Sequence, residues 1–333
     1  MILVTGGTGF LGSHLLSFLT EKGKKIIALK RKASKLGHTE EIFTFYGKSL
    51  GETDSLIWRE ADITDYFSLK DLFEENQITE IYHCAGLVSF NLYDEEKLKS
   101  VNVTGTAHLV NLALEHRVEK FCHFSSVAAI PLGKNEKIVT EQSRWKFSPR
   151  LTTYAISKYD GEREVWRGIQ EGLNGVILNP SIIIGPGCWD TGSGKIISNA
   201  KKKMKYYTSG GSGVVDVRDV VETAVTLMEK NIFSERFILN SENLTFREMF
   251  TLANKVFGNE PPSIKVTQSM FLFAYYAERF FSIFNAKKPL LEKEFLKSGF
   301  SITNYSSDKI ISRLNHKFNT ARESFEWAGS FLK

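Results

Sequence analysis

Cysteine is scarce in this chain, with three among 333 residues. Cys84, Cys122 and Cys188 form no C-x-x-C pair, and two of them lie in apolar runs, so reduced, buried thiols of a cytoplasmic protein are expected. No metal-ligand spacing connects His83 with His123. They are read as packed histidines, and no metal is expected. Long apolar runs are missing too. The strongest, 270–284, is interrupted by Glu278 and Arg279 and is too short to span a bilayer. A buried helix is expected there, and no membrane attachment. The amino end shows neither a basic segment nor a cleavage site, so no signal peptide is expected. Charge of one sign is not concentrated: the net charge is +5, too mild to argue for nucleic acid, and an anionic ligand accounts for it as well. Internal repeats and low-complexity tracts are absent from the sequence.

What is present begins at once. Ile2-Leu3-Val4 is a short apolar run, Gly6, Gly7, Gly9 and Gly12 follow, and helical periodicity starts at Phe10. The glycines therefore sit at a strand-to-helix turn. Such a turn bends sharply, admits phosphates closely and offers them the free N–H groups and positive dipole of the new helix. Gly7-Thr8-Gly9-Phe10-Leu11-Gly12 fits G-x-G-x-x-G, and Gly6, Gly9 and Gly12 fit a second glycine spacing. A dinucleotide pyrophosphate is the expected ligand.

The remainder alternates. Apolar strand candidates recur at 26–29, 56–58, 81–84, 121–124, 176–178 and 237–239. Helical patterns lie between them at 66–75, 96–116, 153–170 and 219–229. Repeated strand-then-helix, with strands too apolar to face water, predicts an α/β fold: a Rossmann-type, doubly wound, mostly parallel sheet. Beyond residue 240 the pattern is helical, and Thr245-Phe246-Arg247-Glu248 reads as a capping box. The expected division is a nucleotide-binding domain over 1–184, with 213–240 returning to it. A smaller, mainly helical substrate domain takes 185–212 and 241–333.

The end of the second strand bears on the cofactor. A unit that binds NAD usually places an acid there for the ribose hydroxyls. Here Lys30-Arg31-Lys32 follows instead, which suits a 2′-phosphate, so NADP(H) is preferred and NAD(H) is the alternative. Asp62 follows the third strand, where it either accepts from the adenine amino group or caps the next turn. Tyr154 and Lys158 are spaced i, i+4 on one helical face, so an ammonium stands near a phenol and is expected to lower its pKa. Upstream, an apolar run ends in Ser125-Ser126, at the strand end that faces the ligand crevice of such a sheet.

The ordered set of these motifs resembles the extended short-chain dehydrogenases/reductases, the NAD-dependent epimerase/dehydratase family, over nearly the whole chain. Carrying it are Thr5 to Gly12, Asp62, His83-Cys84-Ala85-Gly86, Asn102-Val103-Thr104-Gly105-Thr106, Ser125-Ser126, Tyr154 with Lys158, Asn179-Pro180-Ser181, Gly185-Pro186-Gly187 and Val217-Arg218-Asp219-Val220. The resemblance implies hydride transfer with Tyr154 as general acid/base. Lys158 would bind the nicotinamide ribose and lower the tyrosine pKa, Ser126 would polarise the substrate oxygen, and Asn102 would steady a relay water. Gly6, Gly9, Phe10, Leu11, Gly12, Lys30, Arg31, Asp62, Ile63, Ala85, Gly86, Pro180 and Ser181 would line the cofactor groove. A homodimer through helices 96–116 and 153–170 is the family expectation.

Within the superfamily, the branch that resembles dihydroflavonol reductase and hydroxysteroid dehydrogenases is favoured over nucleotide-sugar epimerases and dehydratases. Lys30–Lys32 lacks the acid of the latter. Ile182 and Ile184 replace polar sugar contacts with an apolar wall. The segment holding Met270, Phe271, Phe273, Tyr275, Tyr276, Phe280, Phe281 and Phe284 suits a ring-bearing substrate, although core packing gives the same spacing. Asn179 stands where many members carry arginine. Lys201-Lys202-Lys203 with Lys205 either meets a phosphate-bearing substrate or forms a solvated helix face. A third class, non-catalytic NADP(H) sensors, typically lacks the tyrosine–lysine pair kept here.

Overall fold

The computed structural model describes residues 1–131, 136–148, 151–285 and 291–332, with backbone alone at 92 and 281–285. In chain order the sheet region runs β1 (Ile2–Thr5), α1 (Phe10–Thr20), β2 (Ile26–Lys30), α2 (Gly37–Phe45), β3 (Leu56–Glu60), α3 (Tyr66–Glu75), β4 (Glu80–His83), α4 (Glu95–Lys99), α5 (Gly105–Glu115), β5 (Lys120–Phe124), α6 (Thr153–Gln170) and β6 (Gly175–Pro180). Next come β7 (Ile182–Ile184), α7 (Gly194–Lys201), β8 (Tyr206–Tyr207), β9 (Gly211–Asp216), α8 (Val217–Glu229), β10 (Glu235–Leu239), β11 (Glu242–Thr245), α9 (Phe246–Val256) and β12 (Ile264–Lys265). The chain closes with α10 (Gln268–Asn285), α11 (Phe295–Ser298), α12 (Asp308–Leu314) and α13 (Ala321–Ser330).

Seven strands form one sheet in the order β10-β6-β5-β4-β1-β2-β3, every pair parallel. β1 and β6 are buried along their whole length, as near-continuous apolar strands covered on both faces must be. One face packs on α1 and α8 through Leu15, Leu16, Val220 and Ala224. The other packs on α3, α5 and α6 through Leu69, Leu109, Val110 and Val165. β3 departs from the expected burial: as an edge strand it has no fully buried residue, and Arg59 and Glu60 face water. A second sheet, β11-β9-β7, backs a separate apolar cluster with α7, α9 and α13, built on Ile184, Ile197, Val214, Met249 and Phe325. The expected capping box at Thr245 and Glu248 starts α9.

Two expected helices differ in the structure. The stretch 96–116 is not one regular helix, because Ser100–Thr104 forms a π-helical turn between α4 and α5. Such turns displace side chains from the regular helical face and favour functional positions; Asn102 is at its centre. The helix α10 is not buried all round. Phe271 and Tyr275 are buried, whereas Met270, Phe273, Tyr276 and Phe280 are exposed. The side chains of Phe281 and Phe284 lie outside the described residues. Among the described residues no helix is long and apolar enough to cross a membrane.

Candidate active site

The sheet order changes direction between β1 and β4: the chain goes outward through β2 and β3, then returns to the other side of β1. Loops leaving the carboxyl ends of β1 and β4 must diverge there, which opens a crevice for ligand. At that point the two loops touch. Gly6 has φ +67°, and a Cβ on it would lie 2.6 Å from Ala85 N. A Cβ on Gly12 would overlap the Gly6 carbonyl. Thr5 ties the loops further: its Oγ1 accepts from Ala85 N at 3.2 Å and bonds His83 Nδ1 at 2.8 Å. Gly9 caps α1 with no side chain on the first N–H groups and no acid in the first turn. A bare, glycine-lined helix start of this kind fits the pyrophosphate of a dinucleotide.

The other groove residues fall around this cradle. Phe10 packs on His14 (centroids 4.9 Å apart), and Leu11 packs against the core. Lys30 ends β2 and lies 3.9 Å from Glu60 on β3, while Arg31 is exposed. Asp62 Oδ1 accepts from Thr64 N and Oγ1 (2.9 and 2.8 Å), which makes it a turn cap; the helix cap itself is Asp65. Ile63 is buried against Gly105. Gly86 is exposed, whereas Pro180 and Ser181 are buried at the end of β6. The Ser181 hydroxyl has no hydrogen-bond partner among the described residues.

Catalytic candidates converge at the carboxyl end of β5. Thr152 caps α6 by accepting from Ala155 N, which sets Tyr154 in the first turn above Ser126. Tyr154 is half-buried beside Ser126. Burial pushes its phenol above the ordinary value, and the nearby Ser126 hydroxyl only partly opposes that. The net shift of the phenol in this structure is thus upward. Lys158 points its Nζ at the Phe124 carbonyl (2.9 Å). Lys158 itself is buried, which lowers its pKa to about 8. Asn102 braces the loop after β4: its Oδ1 accepts from Leu87 N (2.7 Å), and its Nδ2 donates to Leu87 O and Ser157 Oγ (2.9 Å each).

His83 and His123 are packed histidines, as expected. His83 sits between Thr5 and Thr106, and burial lowers both pKa values, His83 to about 3. No cluster of metal-ligand type occurs among the described residues. Ile184 does not wall the cleft; it is consumed by the apolar cluster of β7 and α9, and Ile182 packs on the same cluster from a half-buried position. Lys201, Lys202, Lys203 and Lys205 are exposed, as a solvated face would be. Two residues that the sequence reading passed over stand close to the site. Phe90 meets Tyr154 edge-on, with centroids 5.9 Å apart. Glu162, buried one turn beyond Lys158, was legible only as the next i+4 position on the Tyr154 face.

Comparison with known proteins agrees with this geometry. The family model described as "NAD dependent epimerase/dehydratase family" matches residues 2–238. The chain belongs to that family. Curated proteins similar to it include "Sterol demethylase protein B" of Methylococcus capsulatus, 29% identical over 79% of this chain and 76% of that protein. A "Putative dihydroflavonol 4-reductase" of Synechocystis is 27% identical over 93% and 88% of the respective chains. Among solved structures, gox2253 aligns over 100% of this chain and 97% of its own, at 28% identity and a TM-score of 0.80. As an epimerase/dehydratase family member, the protein is an NAD(P)-dependent oxidoreductase of the extended short-chain type.

Proposed function

We propose that this oxidoreductase is an NADP(H)-dependent reductase of a small apolar or aromatic carbonyl compound. Tyr154 is the acid, Ser126 holds the substrate oxygen, and Lys158 supplies the charge beneath them. The observation that carries the reading is a half-buried phenol beside Ser126 at the open end of β5, kept protonated by its burial. That is the state required to protonate an oxygen that gains charge during reduction.

Gly6, Gly9 and Gly12 would hold the pyrophosphate of a nicotinamide dinucleotide, which would supply the hydride for the carbonyl carbon. Tyr154 gives its proton to the carbonyl oxygen while Ser126 donates a second hydrogen bond to it. The Lys158 ammonium stabilises the phenolate left behind. Asn102 fixes the Ala85–Gly86–Leu87 backbone through its bonds to Leu87. Ser181, whose buried hydroxyl has no partner among the described residues, would hydrogen-bond the carboxamide of the nicotinamide. The cations Lys30 and Arg31 support NADP(H) over NAD(H), and the names of the reductase relatives support a carbonyl substrate.

A parallel fluorescence titration with NADPH and NADH tests this reading. Tighter NADPH binding that weakens by about tenfold in Arg31→Ala, with NADH unchanged, is expected for the loss of one charge-assisted phosphate contact. Equal affinities in the wild-type protein, or tightly retained NAD, would overturn the cofactor assignment and direct attention to sugar nucleotides.

A further inference from the structure

One buried carboxylate near the site takes no part in the chemistry just described. Glu162 follows Lys158 by four residues on α6 and is only 1% exposed. A charge so far from water is retained only where other charges and hydrogen bonds compensate it. Compensation arrives from several elements. Asn179 Nδ2 on β6 donates to Oε1, and Arg236 Nη1 on β10 lies 3.5 Å from Oε2. Burial raises the Glu162 pKa above the ordinary carboxylate value, and the Ser125 hydroxyl beyond β5, Arg236, Asn179 and the Lys158 ammonium partly oppose that by favouring the ionised form. Arg236 is shared, since its guanidinium also donates to Glu141 O (3.1 and 2.7 Å) and Ser143 O (3.3 Å).

Lys158 is in the same position with the sign reversed. It is 6% exposed, and the bond described for it goes to the Phe124 carbonyl, a dipole rather than a charge. Around it stand His83 and Cys84 from β4 and its loop, His123 from β5, Gly86 and Asn102, and Tyr154 on its own helix. Burial keeps both histidines neutral and pushes the Cys84 thiol well up, so none of these carries negative charge at neutral pH. Among the groups acting on Lys158, the carboxylate is Glu162.

We propose that Glu162 is a positioning residue of the hydride-transfer site, whose carboxylate keeps Lys158 charged and held under Tyr154. Charge counting gives the reason. Lys158, Glu162 and Arg236 together carry one excess positive charge, which the phenolate of Tyr154 balances after proton transfer. With the carboxylate gone, the buried Lys158 and the half-buried Arg236 lose the negative charge that acts on both, and the lysine, the weaker base, gives up its proton. The inference rests on the acid–base reading of Tyr154 and Lys158, but the charge on the amine can be read without turnover.

The test is an NMR titration of 13Cε-lysine protein, with the Lys158 signal assigned by its loss in Lys158→Met. The wild-type signal is expected to titrate near 8. In Glu162→Gln the midpoint should fall by at least about one pH unit, so that the ammonium fraction at pH 8 drops about fivefold. Glu162→Asp should recover part of the shift. An unchanged midpoint in Glu162→Gln overturns the proposal. Should that variant fail to fold, the wild-type protein decides: the 13Cδ-glutamate signal that Glu162→Asp displaces should inflect at the Lys158 midpoint, and a flat signal there overturns the proposal equally. Failure of the acid–base reading shows elsewhere, as undiminished turnover in Tyr154→Phe.

Discussion

Gly6→Ala separates the two costs that the turn after β1 would impose on any side chain. The first is conformational: at φ +67° an L-residue pays about 1 kcal/mol or somewhat more for the left-handed region. The second is contact. The added methyl would lie 2.6 Å from Ala85 N, 2.7 Å from Ala85 Cα and 2.9 Å from the Cys84 carbonyl carbon. All three are backbone atoms, so no rotamer change relieves them; the loops after β1 and β4 must part. Overpacking of this kind adds about 1–3 kcal/mol. Gly23 is the control, because it has nearly the same φ, +66°, and nothing within 4 Å of its added methyl. Urea unfolding should therefore show Gly23→Ala destabilised by about 1 kcal/mol and Gly6→Ala by about 2–4 kcal/mol. Dinucleotide binding, followed by cofactor fluorescence, should fall at least about tenfold in Gly6→Ala and stay unchanged in Gly23→Ala, because only the first moves the cradle. Equal destabilisation of the two variants, or wild-type binding by Gly6→Ala, refutes the claim that the loops meet at the ligand crevice.

Tyr154→Phe should lower carbonyl reduction by about 10²–10⁴-fold, since the group that delivers the proton is removed, and should leave cofactor affinity intact. Stopped-flow oxidation of NADPH with a panel of aromatic carbonyls, beside the binding titration, measures both. Lys158 predicts a pH slope of stability. Its folded pKa, about 8, lies below the ordinary lysine value, so between about 8 and 10 the unfolded chain binds more protons and stability contributed by this group rises with pH. Urea midpoints at pH 7.5 and 9.5 should therefore show wild type gaining on Lys158→Met across the interval, and parallel changes would refute the assignment.

The glycine turn, the seven parallel strands and the Tyr154–Lys158 face were legible in the sequence because each is a local pattern: a strand beside a turn, an apolar run, an i, i+4 spacing. The π-helical turn at Ser100–Thr104 was not, since its residues keep the periodicity of the helices on either side. Ile184 was misread for a related reason. An apolar residue beside a cleft motif and one facing a second core look alike until β9 and α9 are placed against it. The partners of Glu162 depended on strand order. Arg236 is 74 positions away in sequence and reaches α6 only because β10 lies beside β6. The direction of the Tyr154 shift was a matter of magnitude: spacing announced the neighbouring ammonium but not how deeply the phenol is desolvated.

The return of β10 to the sheet also carries a consequence for synthesis. Translation delivers six strands of the sheet by residue 180, but the strand that pairs with β6 comes only with residues 235–239. Until then β6, buried over all six residues in the finished protein, is an open edge of the kind that invites pairing with other chains. The same interval leaves Glu162 without its guanidinium partner on β10. A nascent chain halted before residue 235 is therefore both a candidate for edge-to-edge aggregation and a protein whose acid–base machinery lacks one of its charges.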